Sequence, residues 1–203
     1  MKKIVLTILV SLFVFIGKAN AQITTSNNPP YNSAANLVNN VLLGQGVIAD
    51  SIQFTGDANQ IGFFNNGNTL NPALGLDSGI VISSGNINDI ANGGVLSTNF
   101  GNPGDPDLLT IAQTIRAGIN SSQDAAALEF DFTPQGDSIE FRFVFASDEY
   151  LQWVDSDFND IFAFFVSGPG IAGPYASPGS FPNGAINIAQ VPGTIDPITI
   201  STI

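Results

Sequence analysis

Cysteine and histidine are absent from this 203-residue chain, and its only lysines are Lys2, Lys3 and Lys18. Without sulfur or imidazole there are no disulfide staples, no thiol chemistry and none of the usual zinc sites. Beyond Lys18 the sole bases are Arg116 and Arg142, set against 17 acids. Schiff-base chemistry and the phosphate-binding P-loop both need a lysine, so neither is open to that part of the chain. Its negative field opposes nucleic acid and anionic lipid and favours cations. A long hydrophobic run is missing too. The stretch from Ile4 to Ile16 is short for a membrane span, and no later stretch is longer.

What the N-terminus does carry is Lys2 and Lys3, the Ile4 to Ile16 run and Ala19-Asn20-Ala21. These are the three parts of a cleaved secretory signal. The expectation is a signal peptide over residues 1–21, a flexible leader over 22–35 and one domain over 36–203. Secretion to the cell surface or the medium follows, with no membrane insertion after cleavage. A chain of about 180 mature residues can bury a core, to which most of the 16 phenylalanines would give bulk. Few charges together with 21 glycines and 12 prolines favour short strands and tight turns. The predicted fold is mainly β, an antiparallel β-sandwich of jelly-roll or lectin-like type with one or two short helices.

Ser33 is a candidate cap for a helix from Ala34 to Leu42 with Leu37, Val38, Val41 and Leu42 inward. Asp105-Pro106-Asp107 offers a cap, a first-turn proline and an acid before a second helix. Strands are expected at Gly46 to Phe54, Gln60 to Phe64, Gly79 to Ser83, and around Leu128, Phe130 and Phe132. Residues 85–104 read as a long irregular connection. Ile139, Phe141, Phe143 and Phe145 alternate with Glu140 and Arg142, the period of a half-buried strand. Through the turn at Pro134 to Asp137 this strand should form a hairpin with the one before it. It should form another with Ile161 to Val166, whose continuous apolar run suits a strand covered on both faces. Further strands are expected at Ala185 to Val191 and Ile198 to Ile203. The last has no closing turn, so a C-terminally truncated domain is expected.

At the tip of the second hairpin, Asp148, Glu149, Asp155, Asp157 and Asp160 bring five acids and no base. Asp155-x-Asp157-x-Asn159-Asp160 is similar to the opening of a calcium loop, but Asp160 and Val166 stand where an EF-hand needs Gly and Glu. A calcium site of another kind would draw on Asp148, Glu149, Asp155, Asp157, Asn159 and Asp160. The alternative is a solvated acidic loop whose Asn159-Asp160 makes turn hydrogen bonds. Tyr150 and Trp153 beside these acids suit sugar stacking or a protein partner, or Trp153 packs over the sandwich edge. Ser78 in Asp77-Ser78-Gly79 has no histidine or lysine to activate it, so no catalytic residue is expected there. Two carboxylates of the loop could in principle cleave glycosides, though nothing in the sequence marks one with a raised pKa.

Five blocks carry a resemblance: LVNNVLLGQGV (37–47), LGLDSGIVISSG (74–85), DAAALEFDFTPQGDSIEFRFVFASDEY (124–150), FNDIFAFFVSGPGI (158–171) and INIAQVPGT (186–194). In this order the chain resembles the choice-of-anchor L domain. Asp148 stands where Glu is expected and Gln190 where an apolar residue is usual. The resemblance implies a β-rich module of secreted and surface proteins of bacteria, notably Bacteroidetes with type IX secretion. It further implies envelope anchoring through a C-terminal region that this sequence does not show. The overall expectation is a noncatalytic surface module for adhesion or matrix contact, with calcium as its one candidate cofactor. A lectin-like domain, or less so a carboxylate glycosidase, is the alternative, and surface glycans or proteins are the expected partners.

Overall fold

The computed structural model describes residues 22–70, 72–91 and 98–203. The expected signal peptide, residues 1–21, lies outside the described residues. The class is mainly β with a few short helices, as expected, and every strand pairing among the described residues is antiparallel.

Strand β1 (Thr24–Ser26) pairs with β3 (Ile61–Asn65), which pairs in turn with β4 (Gly79–Ile82). Part of the expected leader is therefore an edge strand, held by its ladder to β3. Central β3 buries Ile61 and Phe64. It also needs Gly62, because a Cβ there would stand 2.4 Å from Ile87 Cδ1 and 2.5 Å from the Ser26 carbonyl oxygen. Ile87 opens the one-turn helix α2 (Ile87–Ile90), capped by Asn86, so the 85–104 connection is less irregular than expected. Residues 92–97 of that connection lie outside the described residues.

The first helix forms where expected. Ser33 caps α1 (Ala34–Leu37), which widens into a π turn over Val38–Leu42. Leu37 and Val38 are fully buried, and Val41 and Leu42 are half-buried. The second is α3 (Pro106–Ile115), where the Asp105 carboxylate accepts from the N–H groups of Asp107 and Leu108 at 2.8 and 2.9 Å. Its Ile111 and Ala112 enter the core.

Strand β2 (Val47–Thr55) pairs along its length with β5 (Ala127–Pro134), with a bulge between Asp50 and Gln53. Ser51 sits there at φ 52°. The extra residue shifts the alternation, so Val47 and Ala49 face inward before it and Ile52 and Phe54 after it.

The hairpins expected around Ile139 to Phe145 are corrected by these pairings. Strand β5 spends its ladder on β2, and Ile139 to Phe145 joins no ladder among the described residues. The Ile161 to Val166 run is split into β6 (Ile161–Phe162) and β7 (Phe165–Val166). These pair with β9 (Ile198–Thr199) and β8 (Ile186–Asn187). Between them the Phe164 N–H bonds to Asn187 Oδ1 at 3.0 Å and the Phe164 carbonyl accepts from Ile188 at 2.9 Å. With those backbone groups engaged elsewhere, side chains hold the two segments together. Phe141 meets Phe164 at 4.6 Å and Phe143 meets Phe162 at 5.1 Å between ring centroids, an antiparallel register. Phe132 of β5 extends this aromatic row to Phe141. Phe143 is nonetheless exposed, so the inward face expected for it is only partly covered.

One polar knot lies inside the protein. Gln60, fully buried, accepts from the Asp57 N–H at 2.6 Å and donates to the carbonyls of Ser84 at 3.0 Å and Asp124 at 2.8 Å. The buried Asp124 carboxylate accepts from the N–H groups of Phe100 and Asn102. This knot ties the approach to β3, the α2 loop and the approach to β5.

Candidate functional site

The segment from Ala146 to Asp160 is pinned at its base by one serine. Ser147 Oγ donates to Asp160 Oδ2 at 2.7 Å and accepts from the Glu149 N–H at 3.1 Å. The Asp160 carbonyl accepts from Ile200 N–H at 3.2 Å, fastening this base to the end of β9. Here the negative charges meet. Partial burial first, then the fields of Asp160 and Asp148, hold the Glu149 carboxyl above the usual carboxylate range. Burial and Asp160 likewise push the Tyr150 phenol up. Glu149 Oε2 and both amide atoms of Asn159 are buried with no hydrogen-bond partner. Such atoms cost free energy when withdrawn from water unpaired.

Further along, the chain turns twice, with Trp153 N–H bonding to the Glu149 carbonyl and Ser156 N–H to the Trp153 carbonyl. The Trp153 ring meets Phe158 edge to face at 4.9 Å, so it packs on its own loop. The apolar surface here remains open: Leu151 is 85% exposed, Phe158 59%, and Tyr150 and Trp153 each 37%.

On the far side of the turns, the acids find a base. Arg116, at the C-terminus of α3, lies 2.6 Å from Asp157 Oδ1 and donates to the Asp155 carbonyl at 2.7 Å. Asp155 N–H bonds to Ser201 Oγ. The six expected metal ligands therefore divide. Asp148, Glu149 and Asp160 interact at the base, where Asn159 adjoins Asp160, while the Asp155-Asp157 stretch is tied to Arg116. Among the described residues, no three acids converge as a ready metal cluster.

Sequence reasoning missed Arg116 as the partner of this loop, and missed the raised Glu149. The available signal for the first was scarcity, since Arg116 is one of two bases after Lys18. Leu151 and Phe158 also escaped notice, although apolar residues amid acids were visible. The Asp77-Ser78 stretch bends into β4: the Asp77 carbonyl accepts from the Gly67 N–H and its carboxylate from the Asn68 N–H.

No helix among the described residues is long and apolar enough to cross a membrane. The family model of the choice-of-anchor L domain matches residues 24–203, from β1 onward. No curated protein and no solved structure matches the chain.

Proposed function

The chain belongs to the choice-of-anchor L family, a surface-associated bacterial module, and on that premise we propose that it is a noncatalytic secreted module that makes adhesive or matrix contacts through its 148–160 loop. The observation that carries this reading is the exposed apolar cap of Tyr150, Leu151, Trp153 and Phe158 on an acidic loop. Large aromatic side chains open to solvent beside polar groups are the usual anchors of interfaces. Binding of the purified chain to bacterial cells, and to immobilised envelope polysaccharide and protein, tests it. Trp153→Ala should weaken retention by about 30-fold while the fold persists. Retention unchanged by Trp153→Ala and by Leu151→Ala would sink the reading. Capture on polysaccharide alone would make the loop lectin-like.

Calcium is part of the same proposal. Glu149 Oε2 and Asn159, buried without partners beside Asp160, support a cation at the base of the loop. Asp155 and Asp157 would join it only by leaving Arg116. The thermal midpoint should then rise with calcium, by about 2.7 kcal/mol of stability at a hundredfold excess over Kd. The rise should be lost in Glu149→Gln, and no rise at saturating calcium would return the loop to solvated surface.

A raised Glu149 beside Asp160 also favours a second reading, since a glycosidase needs a protonated acid next to a carboxylate. Release of reducing sugar that vanishes in Glu149→Gln would establish it over the noncatalytic one.

A further inference from the structure

A cavity of about 330 Å³ opens where the Pro30-Tyr31 segment, the α1 helix and β3 meet. Its lining contains no acid and no base, in a chain with 17 acids. One wall is aromatic: Tyr31 stacks on Phe63 with ring centroids 4.3 Å apart and planes 13° from parallel. The opposite chemistry comes from Asn36, Asn40 and Ser78. The Pro30 carbonyl can only accept, so Asn36 must present Nδ2 to it, and Asn36 Oδ1 then accepts from Asn40 Nδ2. That chain fixes both amides. It leaves Asn40 Oδ1 and the Ser78 hydroxyl without a protein hydrogen bond among the described residues.

We propose that this cavity binds a neutral saccharide, about one pyranose ring in size. An anion would meet the field of the whole chain, and a cation would find no carboxylate in the lining. A wholly apolar ligand would cover Asn40 Oδ1 and Ser78 without pairing them. A sugar satisfies both demands, because its hydroxyls donate to Asn40 Oδ1 and exchange hydrogen bonds with Ser78, while its C–H face lies on the aromatic wall. The volume falls at the small end of ligand sites, which fits one ring rather than a long chain. The proposal stands independently of the 148–160 loop.

Saturation-transfer NMR and calorimetry on the secreted chain test it, with glucose, galactose, mannose, N-acetylglucosamine and cellobiose as probes and glucuronate as the charged control. At least one neutral sugar should bind saturably and glucuronate more weakly. Asn40→Ala, which removes the acceptor, should lower the affinity about tenfold. Ser78→Ala, at an exposed residue with no partner to lose, should lower it by a smaller factor in a protein of unchanged thermal midpoint. Failure of every neutral sugar to bind, or binding unaltered in folded Ser78→Ala, would each overturn the assignment.

Discussion

Two regions of this molecule withdraw polar side-chain atoms from water, and they settle them in opposite ways. In the Gln60–Asp124 knot every amide and carboxylate atom has a partner, and those partners are all backbone groups. At the base of the 148–160 loop, Glu149 and Asn159 keep buried atoms with none, and the nearest fields are those of other acids. A carboxylate among N–H groups is part of the scaffold. One among carboxylates is held above its usual range, with a buried oxygen left unpaired.

That contrast can be broken first at the knot. Gln60→Leu leaves the buried Asp124 carbonyl, and the part-buried Asp57 N–H and Ser84 carbonyl, without their partner and should cost about 3 kcal/mol, read from urea denaturation. A loss within error would show that the knot is dispensable.

At the loop the effect is smaller and its sign reversed. The Glu149 carboxyl is raised in the fold, so its contribution to stability is fully present below its ordinary value of 4.5 and is lost as pH rises through the raised value. Glu149→Gln should therefore raise stability at neutral pH and flatten the fall between those limits, as followed by thermal unfolding across pH. Destabilisation by Glu149→Gln at neutral pH would mean that the carboxylate has a partner after all.

The smallest effect belongs to the Arg116–Asp157 pair, whose side chains are 47% and 69% exposed. A double-mutant cycle with Arg116→Ala and Asp157→Asn should give a coupling of about 0.5 kcal/mol that fades in high salt. A coupling that persists in salt would mark the pair as a structural clamp.

The same division runs through what the sequence made legible. Faces and caps could be read locally: Asp105 capping α3, the alternation of β5 and the inward stripe of α1 all follow from neighbours a few residues apart. Partners could not. Strand β5 has the alternation to pair with the segment at Ile139, yet its ladder goes to β2, nearly the length of a small domain away in sequence. Alternation fixes which face is buried and is silent on which strand lies alongside. The candidate site obeyed the same limit. Its acids and aromatics were plain in order, whereas their division by Arg116 depends on the approach of α3, and the raised Glu149 on a burial that no local pattern encodes. Nor did the polar composition of residues 22–32 reveal that Thr24–Ser26 would pair with β3 or that Tyr31 would stack on Phe63.

The bulge at Ser51 acts as a change of reading frame within a single strand. Upstream of it the odd-numbered residues Val47 and Ala49 look inward, and downstream the even-numbered Ile52 and Phe54 do. Removing that one residue would leave the chemical content of β2 almost untouched. It would also bring Ile52 and Phe54 into phase with Val47 and Ala49, so that one unbroken ladder to β5 would serve both halves. The extra residue, more than its side chain, is what the bulge absorbs, and it sets a local bend and twist that a regular strand would lack.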